Sequence, residues 1–126
     1  VPRVLTSEQS ALLERYVAAF EKYDVAALAT LLREDAVLSM PPFEMWLQGH
    51  DSIARWFLNQ GIGCKGSRLV PVDACGVRAF AQYRDAGATP WALIILELDG
   101  ERIASQTSFL DVETLFPRFG LPMQLA

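Results

Sequence analysis

The hydrophobic period of the chain changes at Gly61-Ile62-Gly63, and this change limits the fold more than any other feature of the sequence. Before it, apolar residues recur every three to four positions, as in amphipathic helices. After it, apolar and polar residues alternate, as in strands that bury one face. Helices followed by a run of strands predict an α+β fold, with the helices packed on one side of a mostly antiparallel sheet.

Three helices are predicted before the change of period. The first begins at the capping box of residues 6–9, and its apolar face consists of Leu12, Leu13, Tyr16, Val17 and Phe20. Asp24 caps a second, shorter helix, which buries Leu28, Leu31 and Leu32. A third helix is expected over residues 50–60. Two short extended runs precede it, separated by Pro41-Pro42, whose nitrogens cannot join a ladder of hydrogen bonds.

Four strands joined by short turns are predicted after the change of period: 67–75, 77–84, 90–99 and 101–110. Asp99-Gly100 is a strong hairpin signal, and Gly76 and Gly87 mark the other two bends. A helical turn at 111–116, limited by Pro117, then leads to an apolar tail over 117–126. A strongly twisted sheet around three helices makes a cone, and ligand sites of this architecture form at its open end.

The composition excludes several classes of protein. The 126 residues suit a single domain, with residues 1–6 expected to be a linker from an upstream region. The net charge of −4, with scattered positive residues, argues against direct contact with nucleic acid. No apolar run is long enough for a membrane span and no signal peptide is visible, so we expect a cytoplasmic protein. Cys64 and Cys75 are expected to remain free thiols, and neither a metal nor a cofactor is expected.

Residues 15–42, RYVAAFEKYDVAALATLLREDAVLSMPP, resemble the opening of the nuclear-transport-factor-2-like superfold, in its SnoaL-like and ketosteroid-isomerase branch. A narrower resemblance is carried by five segments in order: LLREDAVLSMPPFEMWLQGHDSI, GSRLVPVDACG, AFAQYR, PWALIILEL and FLDVETLFPRFGLP. These resemble the C-terminal SnoaL-like domain of bacterial extracytoplasmic-function sigma factors. The resemblance implies a non-catalytic regulatory or ligand-sensing domain that contacts its own sigma regions and, through them, affects RNA polymerase.

The resemblance also tests an enzymatic function. Ketosteroid isomerases use a carboxylate base with a tyrosine and a protonated aspartic acid that stabilise an oxyanion. Tyr16 matches the tyrosine, but the base position falls at Met40 and the second oxyanion donor near Ile94. Methionine and isoleucine can neither take nor donate the proton. The resemblance therefore implies that this chain is not a ketosteroid isomerase.

An alternative function is a stand-alone SnoaL-like enzyme that acts on a small hydrophobic molecule as a polyketide cyclase, dehydratase or epoxide hydrolase. Its catalytic candidates would be Tyr16 with His50, Glu97 or Asp111. Each of the last three has a simpler structural interpretation. His50 suits a polar position at the rim, and neighbouring Asp51 would not face it on a helix.

The two acidic candidates likewise have simpler structural interpretations. Glu97 is flanked by leucines, so it points outward or pairs with Arg84 or Arg102. Asp111 caps the helical turn that follows it.

Aromatic residues make up most of the predicted ligand pocket, whose members are Tyr16, Met40, Phe43, Trp46, Trp56, Tyr83, Trp91 and Phe109. Strand alternation places Phe80, Gln82 and Arg84 on one face, opposite Ala79, Ala81 and Tyr83. By the same rule Gln106 and Ser108 lie opposite Thr107 and Phe109. Such a cone would suit a flat, modestly polar organic ligand.

Two surfaces are candidates for contact with partners. The apolar tail would expose Phe116, Phe119, Leu121 and Met123, and so could contact the sigma regions. The open face of the sheet could instead form a homodimer.

Overall fold

The structure is a computed structural model that describes residues 6–74 and 77–125. Its helices are α1 (Ser7–Lys22), α2 (Val25–Leu31), α3 (His50–Leu58) and α4 (Val112–Arg118). Its strands are β1 (Leu32–Ser39), β2 (Trp46–Gln48), β3 (Arg68–Ala74), β4 (Val77–Arg84), β5 (Thr89–Asp99) and β6 (Arg102–Phe109). The expected bend at Gly76 and the thiol of Cys75 lie outside the described residues. Cys64 is a free, buried thiol.

The predicted starts of the first two helices are confirmed. Thr6 Oγ1 accepts from the Gln9 N–H at 3.0 Å, and the Gln9 side chain accepts from the Thr6 N–H at 3.2 Å, which completes the capping box. Asp24 Oδ1 accepts from the Ala27 N–H at 3.1 Å at the start of α2. The two helices adjoin closely because Tyr23 takes a left-handed conformation, with φ of 53°.

The six strands form one sheet in the order β2-β1-β6-β5-β4-β3, so β2 and β3 are its edges. β1 pairs in parallel with β6, and every other pairing is antiparallel. The predicted α+β fold, with three N-terminal helices packed on a curled and mostly antiparallel sheet, is confirmed. Several boundaries differ from prediction: Leu32 begins β1 instead of belonging to α2, and α4 extends through Pro117 to Arg118. The end of α3 and the ends of β3, β5 and β6 differ by one or two residues.

A β-bulge on β5 changes the direction of one predicted pocket residue. Tyr83 on β4 pairs with Pro90 and Gln82 pairs with Ala92, so Trp91 is an extra residue between the two pairs. A bulge re-aims the side chain at its site. Trp91 consequently packs against the inner cluster, on the side of Ala92, although simple alternation would place it on the opposite face.

Buried residues form two clusters, one on each face of the sheet. The inner cluster, between the sheet and α1–α3, includes Leu12, Tyr16, Phe20, Leu38, Phe57, Phe80, Ile94 and Ile103. The outer cluster is Val72, Ala79, Ala81, Tyr83, Leu93 and Phe116. These memberships confirm the predicted alternation along β4, because Phe80 lies inside while Ala79, Ala81 and Tyr83 lie outside.

The C-terminal tail covers the outer face of its own sheet, so the prediction that its apolar side chains are free for a partner is wrong for most of them. Phe116 is completely buried, and Phe119 and Leu121 pack against the outer cluster. Backbone hydrogen bonds hold this segment, since the Leu125 N–H donates to the Gly87 carbonyl at 2.8 Å. Met123 remains 40% exposed.

Candidate functional site

Tyr16 begins a buried chain of polar side chains inside the cone. Its hydroxyl donates to Gln106 Oε1 at 2.8 Å, and Gln106 Nε2 lies 3.2 Å from Ser108 Oγ and donates to it. All three residues are buried. Burial, with a smaller contribution from the nearby Cys64 thiol, raises the pKa of the Tyr16 phenol well above its usual value. The phenol therefore stays protonated, and its proton is directed at Gln106.

The surroundings of Tyr16 are apolar and closely packed. Its ring centroid lies 5.8 Å from those of both Phe20 and Phe80. Met40 is 7% exposed, and Ile94 is completely buried. Neither side chain transfers protons. This arrangement can hold a neutral phenol in place, and the partner of its hydroxyl among the described residues is the amide oxygen of Gln106, which is not a base.

Arg84 and Trp91 form a second polar feature at another part of the inner side. The guanidinium carbon lies 3.4 Å from the centre of the Trp91 ring, which is a cation–π contact. Its Nη2 also lies 3.5 Å from Cys64 Sγ. Gly63 packs directly against it, because a Cβ there would approach Arg84 Nη1 to 2.9 Å and would displace the end of the Arg84 side chain. The Arg84 Nε and Trp91 Nε1 donors are buried and have no partner among the described residues.

Sequence reasoning placed Trp91 in the pocket but missed its contact with Arg84, because the bulge that positions Trp91 depends on how β4 and β5 pair. It also missed the buried bond from Gln82 Nε2 to Ser67 Oγ, at 3.1 Å. Alternation along β4 predicted that Gln82 shares a face with Phe80, but the predicted pocket included Tyr83 from the opposite face, which the structure places outside. The partner of Gln82 was not predictable, because Ser67 lies 15 residues earlier in the chain, just before β3.

The three catalytic candidates other than Tyr16 lie at the surface. His50 begins α3 with its side chain 35% exposed, and its Nδ1 lies 3.1 Å from Asp51 Oδ1. The prediction that these neighbours do not face each other is wrong, because no preceding helical turn restricts a side chain at the first position.

The two acidic candidates are exposed as well. Glu97 points outward as predicted, but it makes no ion pair with Arg84 or Arg102 within the part of the chain that the structure describes. Asp111 occupies the N-cap position of α4, yet its carboxylate makes no capping bond. The structure therefore does not gather these side chains around Tyr16.

The structure divides the eight predicted pocket residues among three places. Tyr16 and Met40 are buried, and Trp56 and Trp91 pack partly buried against the inner cluster. Phe43 and Trp46 lie at the surface, 68% and 61% exposed. Tyr83 and Phe109 belong to the outer face, where the Tyr83 hydroxyl donates to the Pro122 carbonyl at 2.7 Å.

A groove of about 540 Å³ lies between α1 and the sheet edge formed by β3, and none of the predicted pocket residues lines it. Its lining includes Glu14, Val17, Ala18, Glu21, Pro71 and Phe80. The sequence signal for this groove was the recurrence of outward-facing residues along α1 at spacings of three and four.

Within residues 6–74 and 77–125, no three side chains of His, Cys, Asp or Glu converge as a metal site would require. No helix in the same ranges is long and apolar enough to cross a membrane.

The comparisons with known proteins define the class of this domain. A family model described as SnoaL-like domain matches residues 13–112, and the chain belongs to that family. Among solved structures, an LEH-like epoxide hydrolase of Mycobacterium tuberculosis aligns with a TM-score of 0.63 at 20% identity, covering 90% of each chain. An NTF-2-like protein of Burkholderia xenovorans aligns with a TM-score of 0.67 at 15% identity, covering 82% of each. At these identities the likeness shows the fold alone.

One relative is similar at the level of sequence. ECF RNA polymerase sigma factor SigG of Mycobacterium tuberculosis is 38% identical over 122 residues, which cover 94% of this chain and 33% of the relative. The chain thus spans about a third of the length of that sigma factor. This similarity agrees with the resemblance seen in the five sequence segments.

Proposed function

We propose that this chain is a regulatory C-terminal domain of an extracytoplasmic-function sigma factor and acts through contacts with its sigma regions. The observation that carries the proposal is the 38% identity to sigma factor SigG over 94% of the chain. The partners are the promoter-recognition regions of the same polypeptide and, through them, RNA polymerase. Such a protein works in the cytoplasm.

The interior of the cone supports a role without chemistry. The Tyr16 hydroxyl donates to Gln106, and the resemblance to ketosteroid isomerases places Met40 and Ile94 where those enzymes carry their other catalytic groups. A proton-transfer reaction needs a titratable group within hydrogen-bond reach of the reacting atom. The exposed pair of His50 and Asp51 does not supply one to Tyr16.

Ligand sensing is the second part of the proposal, and it concerns a small hydrophobic molecule. Trp56 and Trp91 are only partly buried against the inner cluster, so they are the predicted pocket residues best placed to contact such a molecule. A regulatory ligand would act by changing the contacts between this domain and the sigma regions.

The test is initiation of transcription by the natural full-length polypeptide with core RNA polymerase. We expect removal of this domain to change the rate of initiation at a target promoter several-fold. Equal rates with and without the domain would contradict the proposal, as would an upstream sequence that lacks promoter-recognition regions. Turnover of any substrate that is abolished by Tyr16→Phe would contradict the non-catalytic part alone.

A further inference from the structure

The groove between α1 and β3 combines an apolar floor with an acidic rim. Val17, Ala18 and Phe80 contribute apolar surface to its lining. Glu14 and Glu21 are exposed and lie two helical turns apart on the same side of α1, about 10 Å along the helix axis. Neither carboxylate makes a salt bridge with another described residue.

Strand β3 forms the sheet edge along this groove. At two successive positions where its backbone faces away from β4, it offers carbonyl acceptors but no free N–H donor. Glu21 Oε2 accepts from the Leu69 N–H at 2.9 Å, so the backbone of Leu69 faces away from β4. Antiparallel pairing turns every second residue the same way, so Pro71 also faces outward. Proline has no N–H. A partner strand cannot extend the sheet here, because strand addition needs both donors and acceptors.

We propose that this groove docks a basic amphipathic helix from the sigma regions of the same polypeptide, an inference that rests on the proposed function. The helix places an apolar side chain on the floor, between two Lys or Arg side chains that pair with Glu14 and Glu21. Charge complementarity selects this occupant, because the rim provides two carboxylates and the edge provides acceptors. Regions that recognise promoters carry basic helices, since binding to DNA phosphates requires them.

The test uses the intact natural polypeptide with a photo-crosslinking amino acid at Ser10, which lies at one end of the groove. We expect crosslinks to one basic helix of the sigma regions, identified by mass spectrometry. A second sample carries the crosslinker at Ala26, an exposed position on α2 outside the groove, as a control.

Two sets of matched variants examine charge and shape. We expect Glu14→Gln with Glu21→Gln to lower the crosslinking yield about tenfold, because two rim charges are lost. Glutamine at position 21 can still accept from Leu69. The same change at Glu101 and Glu113, exposed residues outside the groove, should have no effect on the crosslinking yield.

The second set of variants tests shape. Ala18→Trp should fill the groove and lower the crosslinking yield, whereas Ala26→Trp should not.

The outcomes separate this inference from the proposed function. Crosslinks to an acidic or neutral segment, to a second copy or to another protein would overturn the docking inference. A yield at Ser10 no higher than at Ala26 would also overturn it, as would equal effects of the groove and control substitutions. In each case a change of transcription on removal of the domain would leave the proposed function intact. If removal of the domain has no effect on transcription, the proposed function itself fails.

Discussion

At the scale of single residues, Tyr16 links the two halves of the inner core. α1 supplies the phenol and β6 supplies its acceptor, Gln106, which lies 90 residues further along the chain. The inward direction of Tyr16 was predictable from helical spacing. Alternation predicted only that Gln106 lies opposite Phe109, and the predicted pocket included Phe109, which the structure places on the outer face. The bond between Tyr16 and Gln106 was not predictable, because sequence spacing does not reveal which helix face meets which strand.

We expect Tyr16→Phe to lower the free energy of unfolding by about 1–3 kcal/mol, because the buried Gln106 oxygen loses its donor. Urea denaturation at neutral pH measures the change. Tyr83→Phe is the matched control: its partner, the Pro122 carbonyl, belongs to an exposed residue of the tail, so water can replace the phenol and the loss should be smaller. Equal losses in the two variants would contradict the role assigned to the inner chain.

At the scale of elements, strands β3 to β6 were predictable to within a residue or two because the alternation of apolar residues is regular. The bulge at Trp91 was not, since it depends on how β4 and β5 pair. The tail was misjudged for a related reason. Its apolar residues indicate contact with some surface, but the sequence does not say that this surface is the outer face of the same sheet.

We expect truncation after Gly120 to expose the outer cluster, because Leu121 and Leu125 pack against it. The shortened chain should bind more of the apolar dye ANS and sediment as larger species at tens of micromolar. Met123→Ser is the control, since Met123 is the tail's exposed apolar residue and its loss should change neither property. Unchanged dye binding and sedimentation after truncation would show that the tail does not protect the face on which a homodimer was predicted.

At the scale of the whole molecule, the sheet has a buried cluster on each face, and the three tyrosines lie in different parts of the structure. Tyr16 belongs to the inner cluster and Tyr83 to the outer cluster, while Tyr23 lies at the end of α1, where its hydroxyl donates to the Gly61 carbonyl at 2.8 Å. Burial raises the pKa of each phenol above its ordinary value of 10.0. A titration of the tyrosine phenols with alkali therefore reports on the inner cluster, on the outer cluster and on the end of α1.

We expect stability to fall as the pH rises above about 10, where tyrosines of an unfolded chain ionise. In that range the unfolded chain releases phenolic protons that the folded chain retains, so rising pH favours unfolding. Absorbance near 295 nm, which reports phenolate alone, should increase together with the loss of far-ultraviolet circular dichroism. Phenolate that forms near pH 10 while the circular dichroism stays native would contradict the burial of these side chains. Tyr16→Phe should reduce the dependence on pH, because it removes the phenol buried deepest in the inner core.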